Sequence, residues 1–120
     1  MAPEPVAGPT VKPLPPVMKP LIYGYVRVTD DLDDPEIHRM ERVLQALAET
    51  EGFCFVTTFH DYQPGYHGGF DELIRELQRA DAHHVVMPSL EHLAQHPILR
   101  DLILIRLARD ADAYVWVVAP

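Results

Sequence analysis

The sequence predicts an α/β fold of three layers: a mainly parallel four-stranded sheet in the flavodoxin-like order 2-1-3-4, with helices on both faces. Two observations lead there. Short apolar, β-branched runs alternate with stretches of three- and four-residue apolar spacing, in the order β-α-β-α-β-α-β. The strands are short and apolar, as strands covered on both faces are, and right-handed crossovers then set their order. A length of 120 residues with 48% apolar residues suits one domain with a core of useful size.

Taken in order, Leu21-Ile22-Tyr23-Gly24-Tyr25-Val26-Arg27-Val28 reads as the first strand. Asp34-Pro35 follows as an N-cap and a proline at the first helical position. Ile37, Met40, Val43, Leu44 and Leu47 then mark an amphipathic helix closed by Gly52. Phe53 to Phe59 is the second strand, with Cys54 expected inside as a small core residue. The stretch from Asp61 to Gly69 is rich in turn formers and reads as a loop. Phe70, Leu73, Ile74 and Leu77 mark the second helix, and His84-Val85-Val86-Met87 the third strand. Pro97 opens a third helix reaching about Arg109, and Tyr114 to Val118 is the last strand. In the third helix, Ile98, Leu99, Leu102, Ile103, Leu104, Ile105 and Leu107 cannot share one face, because successive residues turn by about 100°. Either the helix is well buried within its own domain, or its outer side, with Leu102, Ile103, Leu104 and Ile105, meets a second subunit, as in a homodimer, or a protein partner.

Residues 1–20 hold seven of the twelve prolines and form an expected extended or disordered leader, ahead of a folded domain over 21–120. Within it, Pro13-Leu14-Pro15-Pro16 has the composition that docks in aromatic grooves, but a plain leader is the preferred reading. Charge divides the same way. The leader carries Lys12, Lys19 and Glu4, a net of +1, whereas the remaining hundred residues set eight arginines against seventeen acids, a net of −9. A surface of that sign repels phosphate backbones and argues against this chain gripping DNA alone. One cysteine rules out an internal disulfide and fits a reducing cytoplasm. No apolar run is long enough to span a membrane, and no signal-peptide pattern opens the chain.

In doubly wound sheets, function gathers at the carboxyl ends of the strands. Those ends here carry Thr29, Asp30 and Asp31, then His60 and Asp61, then Ser89, Glu91 and His92. The segment Tyr23-Gly24-Tyr25-Val26-Arg27-Val28-Thr29 resembles the opening strand of the catalytic domain of resolvase/invertase-type serine recombinases, which reads Gly-Tyr-x-Arg-Val-Ser. Asp61 matches the family's acid after strand two. His67-Gly68-Gly69-Phe70 stands where the family has Arg-x-x-Leu, and Leu90-Glu91-His92-Leu93-Ala94-Gln95 where it has Leu-Asp-Arg-Leu-x-Arg. The resemblance covers residues 22–119. It implies a serine that attacks a DNA phosphodiester, forming a phosphoserine link, inside a cage of arginines that steadies the transferring phosphoryl group.

This chain keeps Arg27 and the acids Asp61 and Glu91. Thr29 stands at the nucleophile position, and His67, His92 and Gln95 stand where three arginines are expected. Each lost charge donor costs ~10²–10³ in rate, and imidazole is mostly neutral near pH 7. In the family the last strand also leads into a long dimerising helix and a helix-turn-helix domain. Pro120 follows the fourth strand directly, so neither is expected within these 120 residues.

The expected function is a stand-alone, catalytically inactive recombinase-type domain serving binding or association in DNA recombination. Arg27, Thr29, Asp61, Glu91 and His92 would line its vestigial pocket. Two other readings compete: an active recombinase or phosphoryl-transfer enzyme using Thr29, and a small-ligand or metal-binding regulator built on the acidic and histidine-bearing strand ends. No cofactor and no metal are expected. A receiver-type Mg²⁺ site lacks the aspartate after strand three and the later lysine. His92 and His96 do not share a helix because Pro97 intervenes, and no nucleophile elbow or phosphate loop is present.

Overall fold

The computed structural model describes residues 19–62 and 67–118. Strand β1 (Leu21–Arg27) leads to helix α1 (Asp34–Thr50), strand β2 (Cys54–Asp61) and helix α2 (Gly68–Ala80). Strand β3 (His84–Met87) follows, then one 3₁₀ turn (Leu90–His92), helix α3 (Pro97–Ala111) and strand β4 (Tyr114–Val117). The sheet order is β2-β1-β3-β4 with every neighbouring pair parallel, which is the order expected from the sequence. All but two of the leader residues lie outside the described part of the structure.

Alternation along the strands splits the core between two faces. Tyr23, Tyr25, Val85 and Met87 point to one side and pack with Phe70, Leu73 and Leu77 of α2 and Ile103, Leu107 and Ala111 of α3. Ile22, Val26 and Val86 point to the other and pack with Leu44 and Ala48 of α1. The layers are therefore unequal, with two helices on one side of the sheet and one on the other.

Local differences from the sequence reading have local causes. The cap of α1 is Asp33, one residue earlier than Asp34. Its side chain accepts the Glu36 N–H at 2.9 Å while Glu36 Oε1 accepts the Asp33 N–H at 3.0 Å, closing a capping box. Cys54 is exposed, not part of the core, because β2 is an edge strand and only part of its length is covered. Val56 is likewise 43% exposed. Of the four residues expected to form an interface on α3, Ile103 is buried and Leu104 packs against the core, so neither is on the outer face. Leu102 and Ile105 do face outward, and Ile98 and Leu99 join them.

The start of α2 depends on a glycine. A Cβ on Gly69 would lie 2.1 Å from the His60 carbonyl oxygen, so no side chain fits where the helix begins against the end of β2. Gly69→Ala is expected to cost about 2–3 kcal/mol through overpacking against fixed backbone, read as a lower urea midpoint at unchanged slope.

Candidate functional site

The end of β1, the start of α2 and the turn after β3 converge on one open cleft of about 440 Å³. Arg27, Thr29, His67, Glu91, His92 and Gln95 all line it, with Leu32, Met40 and Leu99 as apolar wall. Six of the seven positions singled out from the sequence thus meet around one space. The seventh does not line it: Asp61 is 1% exposed and lies behind the wall.

Asp61 is turned inward because three donors hold it there. Gly69 N–H gives 2.7 Å to Oδ1, Phe70 N–H gives 3.0 Å to Oδ2, and the Tyr25 hydroxyl gives 2.6 Å to Oδ2. The carboxylate therefore caps α2 from outside the helix and occupies the N–H groups that would otherwise attract an anion. Burial, together with the hydroxyl's bond to this carboxylate, pushes the Tyr25 phenol well above its ordinary pKa, with Arg27 opposing, so the phenol stays protonated.

Tyr25 links the buried acid to the cleft. Its oxygen accepts Nη2 of Arg27 at 3.0 Å. The Arg27 Nε donates to the His92 carbonyl at 3.1 Å, and the Arg27 backbone N–H donates to His92 Nδ1 at 2.9 Å. The second bond ties the 3₁₀ turn to the end of β1 and sets the neutral imidazole as the Nε2–H tautomer. Burial holds the His92 pKa below its ordinary value; Arg27 pushes the same way and Glu91 opposes.

Thr29 lies exposed just beyond β1, and its hydroxyl donates to the Asp31 carboxylate. That bond keeps Asp31 below the usual carboxylate range. His96, expected apart from His92, is the extended N-cap of α3 and accepts the Ile98 N–H through Nδ1 at 3.2 Å. Among the described residues no group of three or more His, Cys, Asp or Glu side chains could hold a metal ion, and no helix is long and apolar enough to cross a membrane.

Asp31, at a strand end expected to carry function, is the partner of Thr29, whereas Tyr25 is not among the site residues singled out from the sequence. Its position two residues before Arg27, on the same strand face, is the signal that points to it.

No protein-family model and no curated protein sequence matches the chain. Among solved structures, the C-terminal catalytic domain of ISC1926 TnpA, an IS607-like serine recombinase, superposes with a TM-score of 0.69 at 17% identity. The match covers 83% of this chain and 69% of that one. The chain therefore has a serine-recombinase-like fold, the class its first strand and the turn after β3 resemble.

His92 makes folding sensitive to acid in a predictable direction. Its pKa is depressed in the folded state, so its contribution is complete above about 6.5 and fades as pH falls below that, when the unfolded chain takes up the proton first. In His92→Asn the side-chain oxygen can still accept the Arg27 N–H, but the titration is removed. Urea midpoints measured between pH 7.5 and 5 should fall less steeply for the variant than for the unchanged protein.

Proposed function

We propose that this chain is a recombinase-like domain that does not cut DNA and works by association, with a second copy or a protein partner, in a process linked to DNA recombination. The observation that carries the first half is the cleft's charge. Arg27 is the one arginine lining it among the described residues, and its guanidinium already donates to Tyr25 and to the His92 carbonyl. The other three family-equivalent positions offer two imidazoles and an amide, with Glu91 adding negative charge. A phosphoryl group gaining charge during transfer needs several fixed donors at once, and an acid in the wall works against it. The site assignments Arg27, Thr29, Asp61, His67, Glu91, His92 and Gln95 are thus proposed as remnants of a cleavage site, with Asp61 and Arg27 kept for folding. The single cysteine supports a cytoplasmic setting.

One contact favours a competing reading. The Thr29 hydroxyl, bonded to the Asp31 carboxylate, is a possible nucleophile beside a weak base. Both readings meet in one assay: incubation with supercoiled plasmid, denaturation, and electrophoresis for protein-linked DNA, in parallel with Thr29→Ala. No adduct is expected from either protein. An adduct formed by the unchanged chain and absent from Thr29→Ala would establish strand cleavage and end the non-enzymatic reading.

Association is supported by the outer face of α3. Ile98, Leu99, Leu102 and Ile105 are 67%, 43%, 57% and 56% exposed, and their spacing places them in one stripe along the helix. The double substitution Leu102→Asp with Ile105→Asp touches no buried residue and should leave the fold intact. Light scattering is expected to give a multiple of the chain mass for the unchanged protein and the single-chain mass for the variant. A monomer at every concentration, or equal masses, would remove the α3 interface.

A further inference from the structure

A second apolar surface lies on the opposite side of the sheet, far from α3. Helix α1 lies over β2, β1 and β3, and β4 is left without a helix on that side. Register sets the residues there: Tyr114 lies beside His84 and Trp116 beside Val86, whose side chain belongs to the α1 side of the core. Tyr114, Trp116 and Val118 are 66%, 36% and 39% exposed. Their rings form a connected platform. Tyr114 stacks on His84 at 5.9 Å, the Trp116 indole N–H donates to His84 Nδ1 at 3.2 Å, and the buried Phe53 meets Trp116 edge-on at 5.3 Å.

We propose that this platform is the docking surface for the protein's own proline-rich segment, residues 1–18. The chain reaches β1 beside it. Cys54 N–H donates to the Pro20 carbonyl at 2.8 Å, which fixes the path of the chain at the amino end of the sheet, and Tyr114 begins β4 at that same end. From β1 to β4 is two strand spacings, about 10 Å across the sheet. In an extended proline helix rising about 3.1 Å per residue, Pro16 lies roughly 12 Å and Pro13 roughly 22 Å from Pro20. The run Pro13-Leu14-Pro15-Pro16 therefore reaches Tyr114 and Trp116 without strain.

The chemistry matches as well as the reach. Adjacent exposed tyrosine, tryptophan and histidine rings form the kind of surface that receives proline rings, and a chain with φ already fixed loses little entropy on docking. Charge does not oppose the docking: within residues 1–18 Lys12 offsets Glu4, and Lys19 follows directly, while Glu51, Asp81 and Asp112 stand at the helix C-caps at this end of the sheet. An acid at a helix C-terminus is unfavourable to the helix. Asp81 and Asp112 already face the His83 imidazole at 3.0 and 3.8 Å, which leaves Glu51 as the acid that Lys12 or Lys19 would relieve.

Trp116 is the sole tryptophan, so its fluorescence and its one indole N–H resonance report on this surface alone. The experiment compares the full chain with a full-length variant in which Pro3, Pro5, Pro9, Pro13, Pro15 and Pro16 are serine. Far-UV circular dichroism confirms that both are folded. The variant is expected to emit at longer wavelength, to be quenched more strongly by acrylamide and to show a displaced indole resonance, at every protein concentration. Identical emission, quenching and resonance in the two proteins would overturn the proposal. So would a difference that disappears on dilution, since the occupant would then be another copy of the chain.

Discussion

A buried carboxylate is tolerated only when its lost hydration is replaced, and Asp61 shows how much of this domain is arranged to replace it. Gly69 must be glycine so that α2 can begin close enough to present its amides. Phe70 must follow in helical conformation, and Tyr25 must reach across from β1 to close the third bond. The aspartate thereby links β1, the end of β2 and the start of α2 at one point. Replacing it with an apolar residue would strip two helix N–H groups and the Tyr25 O–H of their acceptor, although the phenol oxygen would still accept from Arg27.

The same network sets the shape of the cleft. Arg27 is held by Tyr25 and by the turn that carries His92, so its position follows from the Asp61 network. His92 is likewise placed by the Arg27 backbone, with its Nδ1 committed as acceptor. Two of the groups facing the cleft are therefore parts of the scaffold. The rim is thus shaped by the Tyr25–Asp61 pair, the Arg27 guanidinium and the His92 imidazole.

Periodicity made the topology legible: four apolar runs separated by helical spacing left little choice of sheet order, and the order is the expected one. The meeting of Thr29, Glu91 and His92 at one cleft was legible too, because parallel strands carry their carboxyl ends to a common rim, whereas His67 and Gln95 were pointed to by the family resemblance alone. What failed were judgements of side. Cys54 sits in an apolar run that reads as interior, and only the position of β2 at the sheet edge, a tertiary fact, exposes it. On α3 the apolar residues run nearly all round, so the pattern could not separate Ile103 and Leu104, which pack inward, from Ile98, Leu102 and Ile105, which do not. Asp61 was recognised as significant, but its inward turn depends on how close α2 starts to β2, which spacing alone does not express.

The unequal layers connect these observations. Two helices cover one face of a four-stranded sheet, and their cover extends far enough that α3 must turn an apolar stripe outward while its inner side closes over β3 and β4. One helix covers the other face and stops short of β4, leaving aromatic rings there. Exposed apolar area of that kind persists in a folded protein only if something occupies it for part of the time or if charge nearby keeps copies apart. The net charge of −9 on residues 21–120 supplies the second condition and restricts the first. Like domains repel as they approach, so an apolar contact between copies must outweigh that repulsion, whereas a segment without net side-chain charge meets no such barrier. The α3 stripe, narrow and set along a single helix, is suited to a symmetric helix-against-helix contact. The β4 platform, broad and aromatic, is suited to an extended, proline-rich chain. The two surfaces thus differ in the partner they favour for the same reason that they differ in shape.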